Sequence, residues 1–271
     1  MRTLTTIIAA LLLIGCTQQA TNITILHTND THSHIEAEKD GHGGALNRAV
    51  LIEHIRDSVG HNNTLLFDCG DFSQGSLYYN IYKGAIEIDL MNALKYDAAT
   101  IGNHEFDYGM ENLAELLKRA HHPIVCANYD FTGTVCEGLT QPYTILERDG
   151  VRIGVFGLSP DPAGLVLKEN YAGVKFLCPI DAANSCVKQL KREECDLIIC
   201  LSHLGWNIGS KYNDEQIATQ TSGIDIIIGG HSHDLFKKPL TYTNNAGKEV
   251  VVQQAGKYGR NIGVIQVDII R

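Results

Sequence analysis

The sequence predicts one layered α/β domain. In the first half of the chain, short apolar segments alternate with amphipathic helical segments, and strand-like segments dominate the second half. A chain of 271 residues is long enough for one large domain. It contains no internal repeat, low-complexity tract or Pro/Gly-rich linker that would indicate a second one. Hydrophobic residues make up 44% and charged residues 20% of the chain, which disfavours disorder and coiled coil.

The strands and helices follow from the hydrophobic pattern. Apolar segments bounded by turn residues predict strands over 23–27, 64–68, 98–101, 124–127, 143–147, 151–158, 197–202, 224–228, 250–254 and 262–269. Apolar residues that recur at intervals of three and four predict helices over 45–58, 85–94, 110–119, 180–192 and 214–221.

The N-terminal segment is predicted to be an export signal. Met1 and Arg2 form a minimal basic start, and the apolar run 7–14 is too short to span a bilayer. The run ends in Leu13-Ile14-Gly15-Cys16, which is similar to the lipobox of bacterial lipoproteins. In such proteins the signal is cleaved before the Cys, and that Cys is lipidated.

We therefore expect residues 1–15 to be a lipoprotein signal peptide, and 16–22 to be the lipidated Cys16 and a tether. The folded domain would then occupy 23–271. Acyl chains on Cys16 would anchor the exported protein to a bacterial membrane, in the periplasm or at the cell surface. The alternative is an ordinary secretory signal in which Cys16 is incidental.

Seven further cysteines occur in the chain. They form no CxxC pair, which disfavours a Cys-ligated zinc finger and a thioredoxin-like motif. An exported protein can form disulfides, but an odd number leaves at least one thiol unpaired within the chain. Cys69, Cys126 and Cys200 lie in apolar strand-like segments, so we expect them to be small core residues.

The net charge restricts the class of partner. The formal charge of −9 argues against a nucleic-acid polymer, because proteins that bind one usually carry a basic surface. A small anionic substrate is compatible with this charge if bound metal ions supply local positive charge.

Polar clusters follow two strands predicted early in the chain. Asp30 and His32 come after strand 23–27, and in extended backbone they would project to the same side and reach one cation. Asp71 comes after strand 64–68, where Gly70 allows a sharp turn. A carboxylate can bridge two cations, and Asp71 is the natural bridge.

Three more clusters follow later strands. Asn103 offers a neutral carbonyl oxygen as ligand, and the adjacent His104 could serve as an acid or as a hydrogen-bond donor. His203 directly follows strand 197–202. His231 and His233 follow strand 224–228 and two glycines that allow close approach of the backbone to a ligand.

Each cluster alone is a weak signal, because a single Asp-x-His or His-x-His is more often structural than metal-binding. Five clusters at the ends of predicted strands together predict a site for two divalent metal ions. Mixed imidazole and carboxylate ligands favour zinc or manganese, whereas an all-oxygen set would favour calcium or magnesium.

The order of these motifs resembles that of the calcineurin-like metallophosphoesterase superfamily. Within it, the chain looks like the N-terminal domain of secreted 5′-nucleotidases, on the motifs Asn29-Asp30-Thr31-His32, Asp68-Cys69-Gly70-Asp71, Gly102-Asn103-His104-Glu105-Phe106-Asp107, Ser202-His203 and Gly230-His231-Ser232-His233. The resemblance implies two β-sheets packed as a sandwich and flanked by helices, the α-β-β-α metallophosphatase fold. It also implies hydrolysis of phosphate monoesters, with nucleotides as substrates.

The resemblance implies a role for each site residue. One metal ion would be held by Asp30, His32, Asp71 and His233, and the second by Asp71, Asn103, His203 and His231. His104 would be the catalytic histidine beside the phosphate, and Asp107 would orient it through a hydrogen bond. Asn103 and His104 would contact the substrate.

Secreted 5′-nucleotidases typically carry a second, C-terminal domain that recognises the base, whereas this chain ends at Arg271. We therefore expect a complete catalytic half without the recognition half. Such a domain would act alone as a loosely selective phosphoesterase, or with a separately encoded partner protein that resembles the second domain.

Three other functions are compatible with this ligand set. A 2′,3′-cyclic nucleotide phosphodiesterase would use the same residues. Sulfur-ester hydrolysis is disfavoured because His104 is present. A non-catalytic surface binding module would be expected to have lost ligands, and here every ligand position is filled.

Other histidines match no ligand position. His34 and His42 are expected to be exposed loop residues, and His27 to be packed in the first strand. Trp206 follows the His203 motif and would either line the mouth of the site or pack in the core.

Overall fold

Two β-sheets, packed face to face, carry the structure. The computed structural model describes residues 20–270, so the predicted signal segment and Cys16 lie outside the described residues. Within this range the strands are β1 (Ala20–Thr28), β2 (Thr64–Asp68), β3 (Ala98–Ala99), β4 (Tyr129–Asp130), β5 (Tyr143–Arg148), β6 (Val151–Leu158), β7 (Lys175–Phe176), β8 (Leu197–Ser202), β9 (Ile226–Ile228), β10 (Leu240–Thr243), β11 (Glu249–Gln253) and β12 (Gly263–Ile270). The α-helices are α1 (Ala45–Val59), α2 (Leu77–Tyr82), α3 (Ala85–Ala93), α4 (Gly109–Arg119), α5 (Pro179–Arg192) and α6 (Asp214–Gln220).

The first sheet has the strand order β12-β1-β2-β3, and the second has the order β10-β11-β9-β8-β6-β5. Strands β1, β2 and β3 are parallel to one another, as are β6, β8, β9 and β11. Strands β12, β10 and β5 add antiparallel edges. A separate two-stranded sheet pairs β4 with β7.

Three layers of apolar side chains hold the sheets and helices together. The central layer joins the inner faces of both sheets, for example Phe67 of β2 with Ile153 of β6 and Ile199 of β8. The outer face of the first sheet packs on α1, α3 and α4, and the outer face of the second packs on α5 and α6. This arrangement confirms the predicted α-β-β-α sandwich. Because both faces of each sheet are buried, the central strands are apolar throughout, as expected for covered parallel strands.

The structure differs from the predicted elements in several places. Residues 124–127 were predicted to be a strand but form only two isolated bridges, Ala99 to Ile124 and Val125 to Gln141. The two bridges go to different partners, so no continuous ladder forms. Helix α2 was not predicted, since it spans six residues and exposes Leu77 and Ile81. Strands β4, β7 and β10 are too short for a clear pattern, and β1 begins at Ala20, earlier than predicted.

All seven cysteines in the described range are free thiols, and Cys69, Cys126 and Cys200 are buried as predicted. No helix within residues 20–270 is both long and apolar enough to cross a bilayer.

The parallel strands place the polar clusters at one edge of the sandwich. Strands β1, β2 and β3 run in one direction and end just before Asp30, Asp71 and Asn103. Strands β8 and β9 end just before His203 and His231. The loops of the two sheets meet there, because His203 Nδ1 lies 2.5 Å from the carbonyl oxygen of Cys69.

His27 of β1 is fully buried beside Gly263 of β12. A Cβ atom at position 263 would lie 1.9 Å from His27 Nε2, so only glycine leaves room for the ring. Both ring nitrogens lack a hydrogen-bond partner. Burial lowers the pKa of His27 from 6.5 to about 3, so the ring is neutral in the folded protein.

This burial predicts an acid sensitivity. Below pH 6.5 the unfolded chain takes up a proton on His27 that the folded protein does not accept, so stability falls as the pH decreases. Between pH 7 and pH 5 this single group should cost about 2 kcal/mol of unfolding free energy. Denaturant unfolding of the His27→Leu variant at both pH values, at equal metal content, should show a loss smaller by that amount. Equal losses in wild type and variant would contradict the prediction.

Candidate metal centre

Five loops bring the predicted ligands together at the edge of the sandwich. Asp30, His32, Asp71, Asn103 and His203 are buried. His231, His233, His104 and Asp107 are half-buried and border the open side of the cluster. The site is therefore set into the protein and reached from one side.

The first group of ligands is Asp30, His32 and His233, whose ligand atoms all lie within 4.8 Å of one another. The Nε2 atoms of His32 and His233 are 3.1 Å apart. Asp30 Oδ1 lies 3.4 Å from His233 Nε2 and 3.8 Å from His32 Nε2. These are three of the four residues predicted for the first metal ion.

The second group is Asp71, His203 and His231, whose ligand atoms also lie within 4.8 Å of one another. Asp71 Oδ2 lies 3.0 Å from His203 Nε2. Because His203 Nδ1 donates to the carbonyl of Cys69, its Nε2 faces the site. Asn103 Oδ1 is buried and has no hydrogen-bond partner. A buried carbonyl oxygen without a partner is expected where a cation binds.

The two groups are adjacent. His203 Nε2 of the second group lies 3.8 Å from Asp30 Oδ1 of the first. Asp71 also lies within ligand distance of His32 and His104, and thus faces both groups. This position fits the predicted role of Asp71 as a bridge.

His104 lies at the side of the centre. Its backbone N–H donates to Asp71 Oδ1 at 2.9 Å, and its ring Nδ1 is 2.9 Å from Asp107 Oδ2. Asp107 thus fixes the ring, and Nε2 is left as the donor toward a ligand. Burial lowers the pKa of His104, but the hydrogen bond to Asp107 and the charge of Asp71 outweigh it and raise the pKa above the usual value.

The ligand loops differ from the extended backbone that the sequence predicted. Asp30, His32, Asp71, His231 and His233 all have positive φ angles between 43° and 69°. The i, i+2 pairs therefore converge through left-handed turns and not through a strand. Such conformations are costly for residues other than glycine and recur at functional sites.

Backbone hydrogen bonds hold these turns. The N–H of Asp30 donates to the carbonyl of Gly70 at 3.0 Å, and the N–H of His32 donates to the carbonyl of Asp71 at 3.0 Å. The carbonyl of Asp30 accepts from the N–H of Tyr258 at 2.7 Å. A Cβ atom at Gly102 would lie 2.1 Å from Asp71 Oδ1, so glycine is required beside the Asp71 carboxylate.

The electrostatics fit a cation site. Within residues 20–270 the ion-pair partners of Asp30 and Asp71 are all histidines, so no Lys or Arg side chain takes the place of a metal ion. Burial works against the charge of His203, but Asp71 outweighs it and raises the pKa of His203 to about 10. Burial and the charge of His203 lower the pKa of His231 to about 4, which leaves that ring neutral and able to bind a metal ion.

Two supporting residues in the quoted motifs had no predicted role. The carboxylate of Glu105 is fully buried and accepts backbone N–H bonds from Asp71, Ser73 and Gly102 at 2.7 to 3.1 Å. Asn29 donates to Asp30 Oδ2 at 2.6 Å and accepts from the N–H of Ala255 at 2.9 Å. Their presence inside the same short motifs as the ligands was the available signal.

The remaining histidines stay outside the ligand set. His34 is half-buried, stacks on Tyr258 with ring centroids 4.0 Å apart, and pairs with Glu38 at 2.9 Å. Trp206 is packed in the protein, since its Nε1 donates to the hydroxyl of Tyr242 at 2.7 Å and its ring meets Phe236 edge-on.

Comparison with known proteins finds a matching family and similar chains. The family model for calcineurin-like phosphoesterases matches residues 23–235. The chain is 33% identical to the 5′-nucleotidase of Homo sapiens over 276 residues, which cover 92% of this chain and 47% of that protein. It is also 33% identical to the trifunctional nucleotide phosphoesterase protein YfkN of Bacillus subtilis, over 91% of this chain and 18% of that protein. The chain thus spans about half the length of the human relative, and less of YfkN.

Solved structures agree with the described fold. A 5′-nucleotidase precursor from Thermus thermophilus superimposes with a TM-score of 0.83 at 34% identity, over 91% of this chain and 51% of that one. The calcineurin-like phosphoesterase YfkN from Bacillus subtilis superimposes with a TM-score of 0.76 at 30% identity, over 92% of this chain and 86% of that one.

The contacts of Glu105 predict a large effect on stability. Glu105→Ala leaves three buried N–H groups near Asp71 without an acceptor and should lower the unfolding free energy by on the order of 3 kcal/mol. Glu115→Ala, at an exposed position on α4, is the matched control and should cost less than about 1 kcal/mol. Denaturant unfolding of both variants measures the difference, and equal losses would contradict the structural role of Glu105.

Proposed function

The chain belongs to the calcineurin-like phosphoesterase family, and on this premise we propose that it is a dinuclear-metal hydrolase of phosphate monoesters with nucleotides as substrates. The observation that carries the proposal is the convergence of two ligand groups beside the pair of His104 and Asp107. The likeness to 5′-nucleotidases supports the choice of nucleotides.

Divalent metals serve this family, and the residues present fit two of them. We assign Asp30, His32, Asp71 and His233 to one ion, and Asp71, Asn103, His203 and His231 to the other. The mixture of imidazole nitrogens and oxygens favours zinc or manganese. The chemistry that two such ions supply is activation of water and neutralisation of charge on the phosphate oxygens.

The protein's own groups would orient the ester and supply a proton. Asn103 and His104 border the same position and would contact the phosphate. Because Asp107 binds Nδ1 of His104, the proton on Nε2 is available to a phosphoryl oxygen or to the leaving oxygen.

A 2′,3′-cyclic nucleotide phosphodiesterase is the second candidate, and the likeness to a relative named as trifunctional favours it. Two assays separate the activities. Phosphate release from 5′-AMP measures the monoesterase, and product analysis with 2′,3′-cyclic AMP and a bis-aryl phosphate measures the phosphodiesterase. A protein loaded with metal that hydrolyses none of these esters would instead be a binding module.

The expected partner protein for base recognition stays a prediction. It would be tested by mixing the protein with candidate lipoproteins and measuring the nucleotidase rate, and the absence of any gain would count against it.

The metal assignment predicts two distinct phenotypes. Asp71→Asn should weaken binding of Mn²⁺ at least about tenfold, because a shared ligand loses its charge. His104→Ala should keep its metal content while kcat on 5′-AMP falls about 100-fold or more. Mass spectrometry measures the metal content, and phosphate release measures kcat. His121→Ala, at an exposed histidine, is the control and should match wild type in both. A wild-type rate for His104→Ala would refute the role of that residue.

We also propose that the protein is exported and that Cys16 carries the lipid anchor, on the motif Leu13-Ile14-Gly15-Cys16. When produced in a bacterium, the wild-type protein should partition into the detergent phase, and Cys16→Ser should move to the aqueous phase. Cys178→Ser serves as the control for the loss of a thiol. Equal partitioning of wild type and Cys16→Ser would contradict lipidation.

A further inference from the structure

Two cavities border residues of the candidate metal centre. The first has a volume of about 590 Å³ and is bordered by Asp107 and Tyr108. The second has a volume of about 550 Å³ and is bordered by His231 and Lys211. Both sizes are ordinary for sites that bind small molecules. Leu165 lies on the wall between them, since it borders both.

The first cavity is bordered by Asp107, the hydrogen-bond partner of His104. Asp107 borders the cavity and accepts from His104 Nδ1 with its carboxylate. Its backbone carbonyl accepts from Asn170 Nδ2 at 2.9 Å, and Asn170 borders the cavity as well. Tyr79, also in the wall, donates from its hydroxyl to the carbonyl of His104 at 3.3 Å. The cavity wall and the candidate proton donor thus form one hydrogen-bonded unit.

The described residues that border the first cavity are a mixture of apolar and polar side chains, and Asp107 is the charged one among them. Tyr108, Leu165 and Leu167 are 40%, 47% and 66% exposed and all border this one cavity; apolar side chains grouped in this way can line a ligand-binding groove. Tyr79 and Lys83 brace the ring of Tyr108, at 5.2 Å from its centroid in each case. Side-chain amides at Gln74, Asn80 and Asn170 supply hydrogen-bonding groups.

No Lys or Arg is among the residues that border this cavity, whereas Lys211 borders the second. A second phosphate group would therefore meet no cation among these bordering residues and would lie near the carboxylate of Asp107, since the ammonium group of Lys83 lies over the Tyr108 ring. An aromatic ring with polar edges would meet Tyr108, the leucines and the amides. The chemistry of the walls suits an uncharged, planar group.

We propose that the first cavity binds the leaving group of the ester and that Tyr108 selects leaving groups with a planar ring, such as a nucleoside. This inference rests on the proposed function. When water attacks phosphorus and the bond to the leaving oxygen breaks, His104 gives its proton to that oxygen. The atoms beyond it then lie on the side of His104 and its partner Asp107, and Asp107 borders the first cavity.

The test compares 5′-AMP with glycerol 3-phosphate, which are both monoesters of primary alcohols and differ in the ring. In the Mn²⁺-loaded protein, Tyr108→Leu should lower the ratio of kcat/KM for 5′-AMP to that for glycerol 3-phosphate about tenfold, because a stacking face is lost. Tyr108→Phe keeps the ring and should keep the ratio. Tyr212→Leu makes the same kind of change in the second cavity and should also keep the ratio.

An unchanged ratio in Tyr108→Leu would overturn the proposal, and so would a selective fall in Tyr212→Leu, which would place the leaving group in the second cavity. An equal fall on both esters would indicate a structural role for Tyr108 and would overturn it as well. Binding of adenosine, measured by calorimetry, separates this inference from the proposed activity. Adenosine should bind the wild type and bind Tyr108→Leu about tenfold more weakly even if neither ester is hydrolysed. No binding to the wild type would refute the cavity assignment.

Discussion

The carboxylate of Asp71 sets the arrangement of the whole centre. One oxygen accepts the backbone N–H of His104, and the other faces the ring of His203, which comes from the opposite sheet. A carboxylate shared in this way must be held to within a fraction of an ångström, since a shift toward either sheet would separate it from one group of ligands. The packing of the two sheets holds Asp71 in this position, and Gly102 leaves room for its carboxylate.

The strained turns around the candidate ligands are stabilised by buried polar side chains outside the ligand set. Five ligand residues adopt left-handed backbone conformations, and each such residue costs on the order of 1 kcal/mol. Glu105 and Asn29 offset this cost with buried hydrogen bonds to the loops. Burial and the charge of Asp71 raise the pKa of Glu105 to about 7, so the support itself carries an electrostatic cost. Bound cations would lower this cost by compensating the negative charge. The strain and the buried charge are thus both explained by a site built for metal ions.

The sequence predicted the layers and the proximity of the candidate ligands well, and the local backbone geometry of those residues less well. Strands such as β6 and β8 have unbroken apolar runs, so their burial was predictable, and Asp30, Asp71 and His203 were identified because each follows such a strand. The pairing of Asp30 with His32 was predicted from an extended backbone, which is wrong, because tertiary hydrogen bonds to Gly70 and Asp71 impose turns. The cavity beside Tyr108 could not be predicted, since its walls come from residues far apart in the chain whose approach depends on packing.

The position of β12 has a consequence for the order in which the protein can fold. Strand β1, which leads into Asp30 and His32, lies between β2 and β12 and pairs with β12 from Ala20–Ile270 to His27–Gly263. Strand β1 therefore gains one of its two neighbours from a segment that is far away in the sequence. Folds with such distant pairings form slowly. The turn that carries Asp30 and His32 is therefore fully supported only once β12 has paired with β1.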